Sequence, residues 1–275
     1  MTSLMTPGDY VALPERRPDR RVPYGPHEQQ YGELYLPDAP RAPRVLLLHG
    51  GCWQHAFGLR PMGQFARALA DSGLMVLNLE YRRLGGEGGW PNTFTDVQRG
   101  YAALLSASVE WGCDPRPVTV VGHSAGGHLA LWLAGLWRLP ADSELRAEPV
   151  AAPGAVVSVA GIGNLASALA DGICRGAPGD LVGGPPDALA QRYAQASPHA
   201  LLPLGVPHWH IHGIEDPLVP PHHVQQFVDA ALASGDAVYH TPVDNAGHFE
   251  VVTAGSPVWA DVMGAVTAAV EAAAN

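Results

Sequence analysis

Val118-Thr119-Val120-Val121 runs without a break into Gly122-His123-Ser124-Ala125-Gly126, and a helical stretch, 128–137, follows at once. An apolar run, a glycine-flanked serine and a helix leave little choice of local structure. They read as strand, tight turn and helix, with the serine hydroxyl held above the sheet end on a strained nucleophile elbow. Glycine on either side admits the close backbone approach that a Cβ would obstruct. The string Gly-x-Ser-x-Gly alone is a weak signal in a chain with 32 glycines among 275 residues, so the flanking elements carry the inference.

The rest of the chain supplies a sheet for that strand. Residues 44–48, 74–79, 118–121 and 155–159 are short, nearly continuous apolar runs, as expected of strands covered on both faces. An earlier segment, 31–36, alternates and stops at Pro37. Helical stretches at 61–72, 95–110 and 128–137 separate the runs. Strand alternating with helix predicts an α/β fold with a mostly parallel sheet and right-handed crossovers. The rhythm resumes at 208–212, 222–233, 237–243 and 258–274. Between 161 and 207, Gly, Pro and Ala crowd an irregular stretch, which reads as an insertion with a role such as a lid over a site. The expected organisation is an N-terminal arm, 1–30, followed by one domain, 31–275, carrying that cap. The 47% share of hydrophobic residues supplies its core.

A formal charge of −10 argues against a nucleic-acid partner. Arg16, Arg17, Arg20 and Arg21 dissent, but they lie among Pro14, Pro18 and Pro23 and read as a solvated or surface-packed arm. No apolar stretch approaches the roughly 18 to 20 residues needed to span a bilayer. Residues 1–10 lack the basic start and apolar run of a signal peptide. The expectation is a cytoplasmic protein without membrane partners; a homodimer is open. Cys52, Cys113 and Cys174 form an odd, sparse set without metal spacing, which suits reduced thiols better than a disulfide.

A serine hydroxyl is a weak nucleophile until a neighbouring base takes its proton, so a histidine and an acid must come from elsewhere. Among 13 histidines, His248 stands out in Asn245-Ala-Gly-His-Phe-Glu250, directly after the last strand. Asp216 follows the preceding strand in His212-Gly-Ile-Glu-Asp-Pro217. If the strands are parallel, both loops open at the sheet end that bears Ser124. Glu215 is the rival acid and ranks second, because Pro217 and the following helix entry make Asp216 the loop tip. His210 and His212 are rival bases, but they occupy a strand and read as structural. His208, His210 and His212 share one strand face without an acidic or cysteine partner at ligand spacing, so neither a metal nor another cofactor is expected. Residues 44–48 run into His49-Gly50-Gly51-Cys52-Trp53. The expected oxyanion donors are the amides of Gly51, Cys52 and Ala125, and losing one such donor typically costs about 2.7 to 4 kcal/mol.

Taken together, His49-Gly-Gly-Cys-Trp53, Glu80-Tyr-Arg-Arg83, Trp90-Pro91 with Asp96, Gly122-His-Ser-Ala-Gly-Gly-His128, His212-Gly with Asp216, and Gly247-His-Phe249 resemble the α/β-hydrolase esterase/lipase group. The chain order Ser, Asp, His is the one associated with that fold. His-Gly-Gly-x-Trp looks more like the arylformamidase branch than the hormone-sensitive-lipase branch, which usually has a third glycine where this chain has Cys52. The resemblance implies an α/β-hydrolase fold and a serine hydrolase acting on a small ester, with an aryl formamide as the alternative substrate. An exopeptidase or a non-catalytic binding protein are further alternatives. Trp53, Phe57, Trp90, His123 and Arg82 or Arg83 are the expected pocket residues, since an aryl amide with an amino-acid tail would want an aromatic wall and a cation.

Overall fold

Apolar runs without polar alternation bury both faces of a strand. The computed structural model of the chain, which describes residues 4–147 and 151–274, sets four such runs side by side. The strands are β1 (Arg20–Pro23), β2 (Tyr31–Tyr35), β3 (Arg44–Leu48), β4 (Met75–Leu79), β5 (Thr119–His123), β6 (Ala155–Val159), β7 (His208–Gly213) and β8 (Val238–Val243). Every residue of β3 through β7 is buried. The eight strands form one sheet in the order β1-β2-β4-β3-β5-β6-β7-β8. From β3 to β8 they run parallel, whereas β2 is antiparallel to β4 and β1 to β2.

Successive side chains alternate between two cores. Val45, Leu47, Val121, Val157 and Val159 enter one; Leu46, Leu48, Val120 and Val156 enter the other. Burying each is worth about 1.5 to 3 kcal/mol, so a one-residue slip, which would swap the faces, is strongly disfavoured. The helices are α1 (Pro7–Val11), α2 (Gly63–Asp71), α3 (Asn92–Glu110), α4 (Ala125–Ala134), α5 (Leu165–Ala170), α6 (Ala177–Val182), α7 (Ala190–Ala196), α8 (Pro221–Ala233) and α9 (Trp259–Ala272). Tyr10 of α1, α2 and α9 cover the first core, while α3, α4 and α8 cover the second. No helix among the described residues is long and apolar enough to cross a membrane.

Three features depart from the sequence-based expectations. Residues 20–23, expected within an arm, add an edge strand, and the Arg20 and Arg21 guanidiniums lie over Trp111 and Tyr31, 4.6 and 3.4 Å from the ring centres. The glycine- and proline-rich stretch folds into α5, α6 and α7 with short 3-10 turns, and sends Leu165, Leu181 and Tyr193 into the second core. Asn164 starts α5, its Oδ1 accepting the Ala166 and Ser167 amides at 3.0 and 3.3 Å, as a good N-cap does. Finally, Cys52 and Cys174 are not reduced thiols: they form a disulfide across 122 residues, and only Cys113 is free among the described residues. Spacing could not foretell this, because the fold brings the insertion over the β3 loop.

Candidate active site

β5 ends in the elbow. Ser124 has φ 55° and ψ −118°, a region that residues with a Cβ enter only under constraint. The constraint is visible: the Ser124 amide donates to Val159 O at 2.9 Å and its carbonyl accepts the His128 amide at 3.1 Å. A Cβ on Gly122 would lie 2.1 Å from Gly126 O, and one on Gly126 would lie 2.1 Å from Leu48 O. The elbow is therefore pressed against the end of β3. α4 begins at Ala125, whose amide belongs to the unpaired first turn and carries the positive end of the helix dipole.

At the end of β3, Gly51, Cys52 and Trp53 have φ of 107°, 54° and 58°. This run of left-handed residues turns the loop sharply, and the amides of Gly51 and Cys52 donate to no group among the described residues. The loop rests on a polar bracket. His49 Nε2 lies 2.9 Å from Glu80 Oε1 and its Nδ1 lies 2.7 Å from Gly50 O. The His49 ring stacks on Tyr81 at 4.3 Å, and the Tyr81 hydroxyl donates to His49 O at 2.9 Å. Glu80 also accepts the Leu59 and Tyr81 amides and faces Arg83. Burial alone would raise its pKa, but the charge and hydrogen bond of His49, with Arg83 and the Tyr81 amide, hold it below the ordinary glutamate value.

The loops after β7 and β8 bring an acid and a base together. Asp216 Oδ2 lies 2.6 Å from His248 Nδ1, while Oδ1 accepts the Leu218 and Val219 amides at 2.8 and 2.9 Å. Burial would raise the Asp216 pKa; the His248 contact and the Val219 amide outweigh it and keep the carboxylate below its ordinary value. With Nδ1 committed to Asp216, Nε2 is the His248 nitrogen left to act as a base. His123 Nε2 donates to the His248 carbonyl at 3.0 Å, so the residue before Ser124 joins the elbow directly to the histidine loop. Burial, reinforced by His248, depresses the His123 pKa to about 3, which keeps it a neutral donor. The rivals fall elsewhere. Glu215 is exposed. His210 is buried with its Nε2 2.8 Å from His208 Nδ1. His212 is buried with Nε2 3.7 Å from Asp216 Oδ2, and burial lowers its pKa to about 4.

The expected pocket residues scatter. Trp53 is fully buried, edge-on to His128 at 5.2 Å. Arg82 grips Asp96 through Nε and Nη2 at 2.8 and 2.7 Å, and Arg83 donates to His55 O at 2.6 Å beside Glu80. His123 sits behind the histidine loop. Trp90 donates to Glu144 at 3.0 Å, lies under Arg192 and lines a groove of about 650 Å³ with Glu144, Arg192 and Gln195. Ser124, Asp216 and His248 do not line that groove. Phe57 is 42% exposed and lies against the loop after β3, where a Cβ on Gly51 would come within 2.3 Å of its Cβ. The contacts of Tyr10 with Phe249 and of Cys174 with Cys52, which sequence reading missed, carry no local signal, since each residue meets its partner only through the fold.

The BD-FAE family model matches residues 33–231. Similar curated proteins include a probable isoprenylcysteine α-carbonyl methylesterase from Oryza sativa subsp. japonica, 29% identical over 46% of this chain and 32% of that protein. Another is the esterase LipC of Mycobacterium tuberculosis, 34% identical over 42% of this chain and 29% of that protein. The chain thus matches about a third of the length of these relatives. Among solved structures, esterase B from Lactobacillus rhamnosis, inhibited by a tributyrin phosphonate, superposes with a TM-score of 0.80 at 22% identity, covering 97% of this chain and 90% of that one. A truncated carbohydrate esterase from gut microbiota gives a TM-score of 0.74 at 18% identity, covering 93% and 95%. At these identities the likeness is one of fold, and the fold is that of the α/β-hydrolases.

Proposed function

The chain belongs to the BD-FAE family, and on that premise we propose that it is a serine hydrolase cleaving small carboxylic esters. The observation that carries this reading is the 2.6 Å contact of Asp216 with His248, on a loop tied by His123 to the strained elbow of Ser124. Ser124 Oγ attacks the ester carbonyl while His248 Nε2 takes its proton. Asp216 remains ionised, fixes the imidazole tautomer and stabilises the imidazolium. The amides of Gly51, Cys52 and Ala125 receive the developing oxyanion. Collapse of the tetrahedral intermediate expels the alcohol, which takes the proton from His248. Water, activated by the same histidine, then releases the acid from Ser124.

Two further facts favour this reading. The relatives named above are esterases. Ser124 and His248 are only 3% and 5% exposed, which favours a small acyl group over a bulky one. The aryl formamide alternative loses its cation and one of its aromatic residues, because Arg82 is bound to Asp96, Arg83 is held by Glu80 and His55, and Trp53 lies in the core.

Turnover of p-nitrophenyl acetate tests the proposal. Ser124→Ala and His248→Ala should each cost about 10⁴-fold or more in kcat. Intact turnover in both would overturn the mechanism, and a higher kcat/KM for N-formylkynurenine than for the ester would replace the substrate class.

A further inference from the structure

Residues 4–13 lie against the loop that carries His248 and meet it in two places. In the first, the Tyr10 ring stacks on Phe249 at 4.9 Å with 20° between the planes, and lies 5.9 Å from the His123 ring. Both of those neighbours touch the histidine: His123 through its hydrogen bond to the His248 carbonyl, Phe249 edge-on at 5.1 Å. In the second, the two oxygens of Glu250 divide between segments, Oε2 accepting the Gly247 amide at 2.9 Å and Oε1 accepting the Met5 amide. Residues 247, 248 and 249 are thus all held, directly or through one residue, by residues 4–13.

We propose that this segment is a positioning strap for His248, with Tyr10 and Glu250 as its two attachments. The proposal rests on the reading of His248 as the general base. His248 lies on an irregular loop, so no helix or strand of its own fixes its main chain. Asp216 fixes one ring nitrogen but leaves the depth and tilt of the loop to other contacts. A base displaced by about 1 Å from its reacting partner can lose about 100-fold in rate, and loops need outside support to hold such tolerances. Tyr10 supplies a flat, buried wall, at 9% exposure, and Glu250 a hydrogen-bonded tether.

The test compares Tyr10→Ala, Tyr10→Phe and Glu250→Gln in the full chain, by kcat and KM for p-nitrophenyl acetate, by Tm, and by the proton NMR signal of His248 Nδ1–H shared with Asp216. The strap predicts that Tyr10→Ala lowers kcat about tenfold, leaves KM within about twofold and broadens the Nδ1 proton. Tyr10→Phe, which keeps the ring, should restore both readouts. Glu250→Gln should repeat the kcat loss more weakly, and provides the measurement if Tyr10→Ala does not fold. A lower Tm with kcat and the Nδ1 proton unchanged in Tyr10→Ala and Glu250→Gln would reduce the segment to ordinary packing and overturn the strap. The two readings fail separately. Activity surviving Ser124→Ala would sink the hydrolase mechanism, whereas the Nδ1 proton needs no turnover and still reports whether Tyr10 holds the loop.

Discussion

Asp216 Oδ2 stands 2.6 Å from His248 Nδ1 and 3.7 Å from His212 Nε2, so one buried carboxylate faces two histidines. Its other oxygen is taken by the Leu218 and Val219 amides. The carboxylate therefore cannot rotate, and its own loop aims it at His248.

Asp216→Asn keeps that shape but removes the charge and one acceptor. An asparagine amide facing Nδ1 stabilises the wrong imidazole tautomer, and kcat should fall about 10⁴-fold. Circular dichroism should stay native. A loss below tenfold would show that the acid is elsewhere.

Glu80 supports the loop that carries the Gly51 and Cys52 amides, through His49 and the Leu59 and Tyr81 amides. Glu80→Gln should loosen it and lower kcat by about tenfold, a fraction of the loss from deleting an oxyanion donor outright. KM should move little. An equal loss in kcat and gain in KM would instead locate Glu80 in ground-state binding.

Stability should fall in mild acid. His123, His128, His212 and His223 are held by burial at pKa values of about 3, 4, 4 and 4. Their folded-state values lie below the ordinary 6.5, so the unfolded chain binds more protons between those limits. Stability is then complete above about pH 6.5 and is lost as the pH falls toward 4, with a slope of about 1.4 kcal/mol per pH unit for each histidine. Asp216, also held below its ordinary value, adds a loss only below about pH 4. A Tm series from pH 7 to 4.5 checks this; a flat Tm across that range would contradict it.

The Cys52–Cys174 bridge makes a countable claim. Denatured, unreduced protein should present one reactive thiol, Cys113, to a thiol reagent; three would refute the bridge. A link across 122 residues restricts the unfolded chain by about 4 to 5 kcal/mol in the loop-entropy account. Cys174→Ser should therefore lower Tm clearly. Because the Cys52 amide is proposed to receive the oxyanion, kcat should fall with it, as should wild-type kcat after reduction by a dithiol.

Much of the architecture is written locally. The apolar run 44–48 matches β3 at both ends, and 155–159 matches β6. The helix expected at 128–137 starts three residues earlier, at Ala125, because the elbow turns straight into it. The elbow, the glycine loop after β3 and the two loops with Asp216 and His248 were readable for the same reason: apolar periodicity, glycine placement and chain order act over a few residues at a time.

What the sequence determined by itself was therefore most of the chain order of strands and helices, short of β1 and the helices between 161 and 207, and the loops that open at one sheet end. The tertiary structure decided the partners. It set Asp216 against His248 and left Glu215 in solvent, buried Trp53, spent Arg82 on Asp96, joined Cys52 to Cys174, and laid Tyr10 beneath the histidine loop. Of these, the Asp216–His248, Cys52–Cys174 and Tyr10–Phe249 contacts join residues 32 or more positions apart in the chain. Such contacts follow from sheet order and helix packing, which no short window of residues encodes.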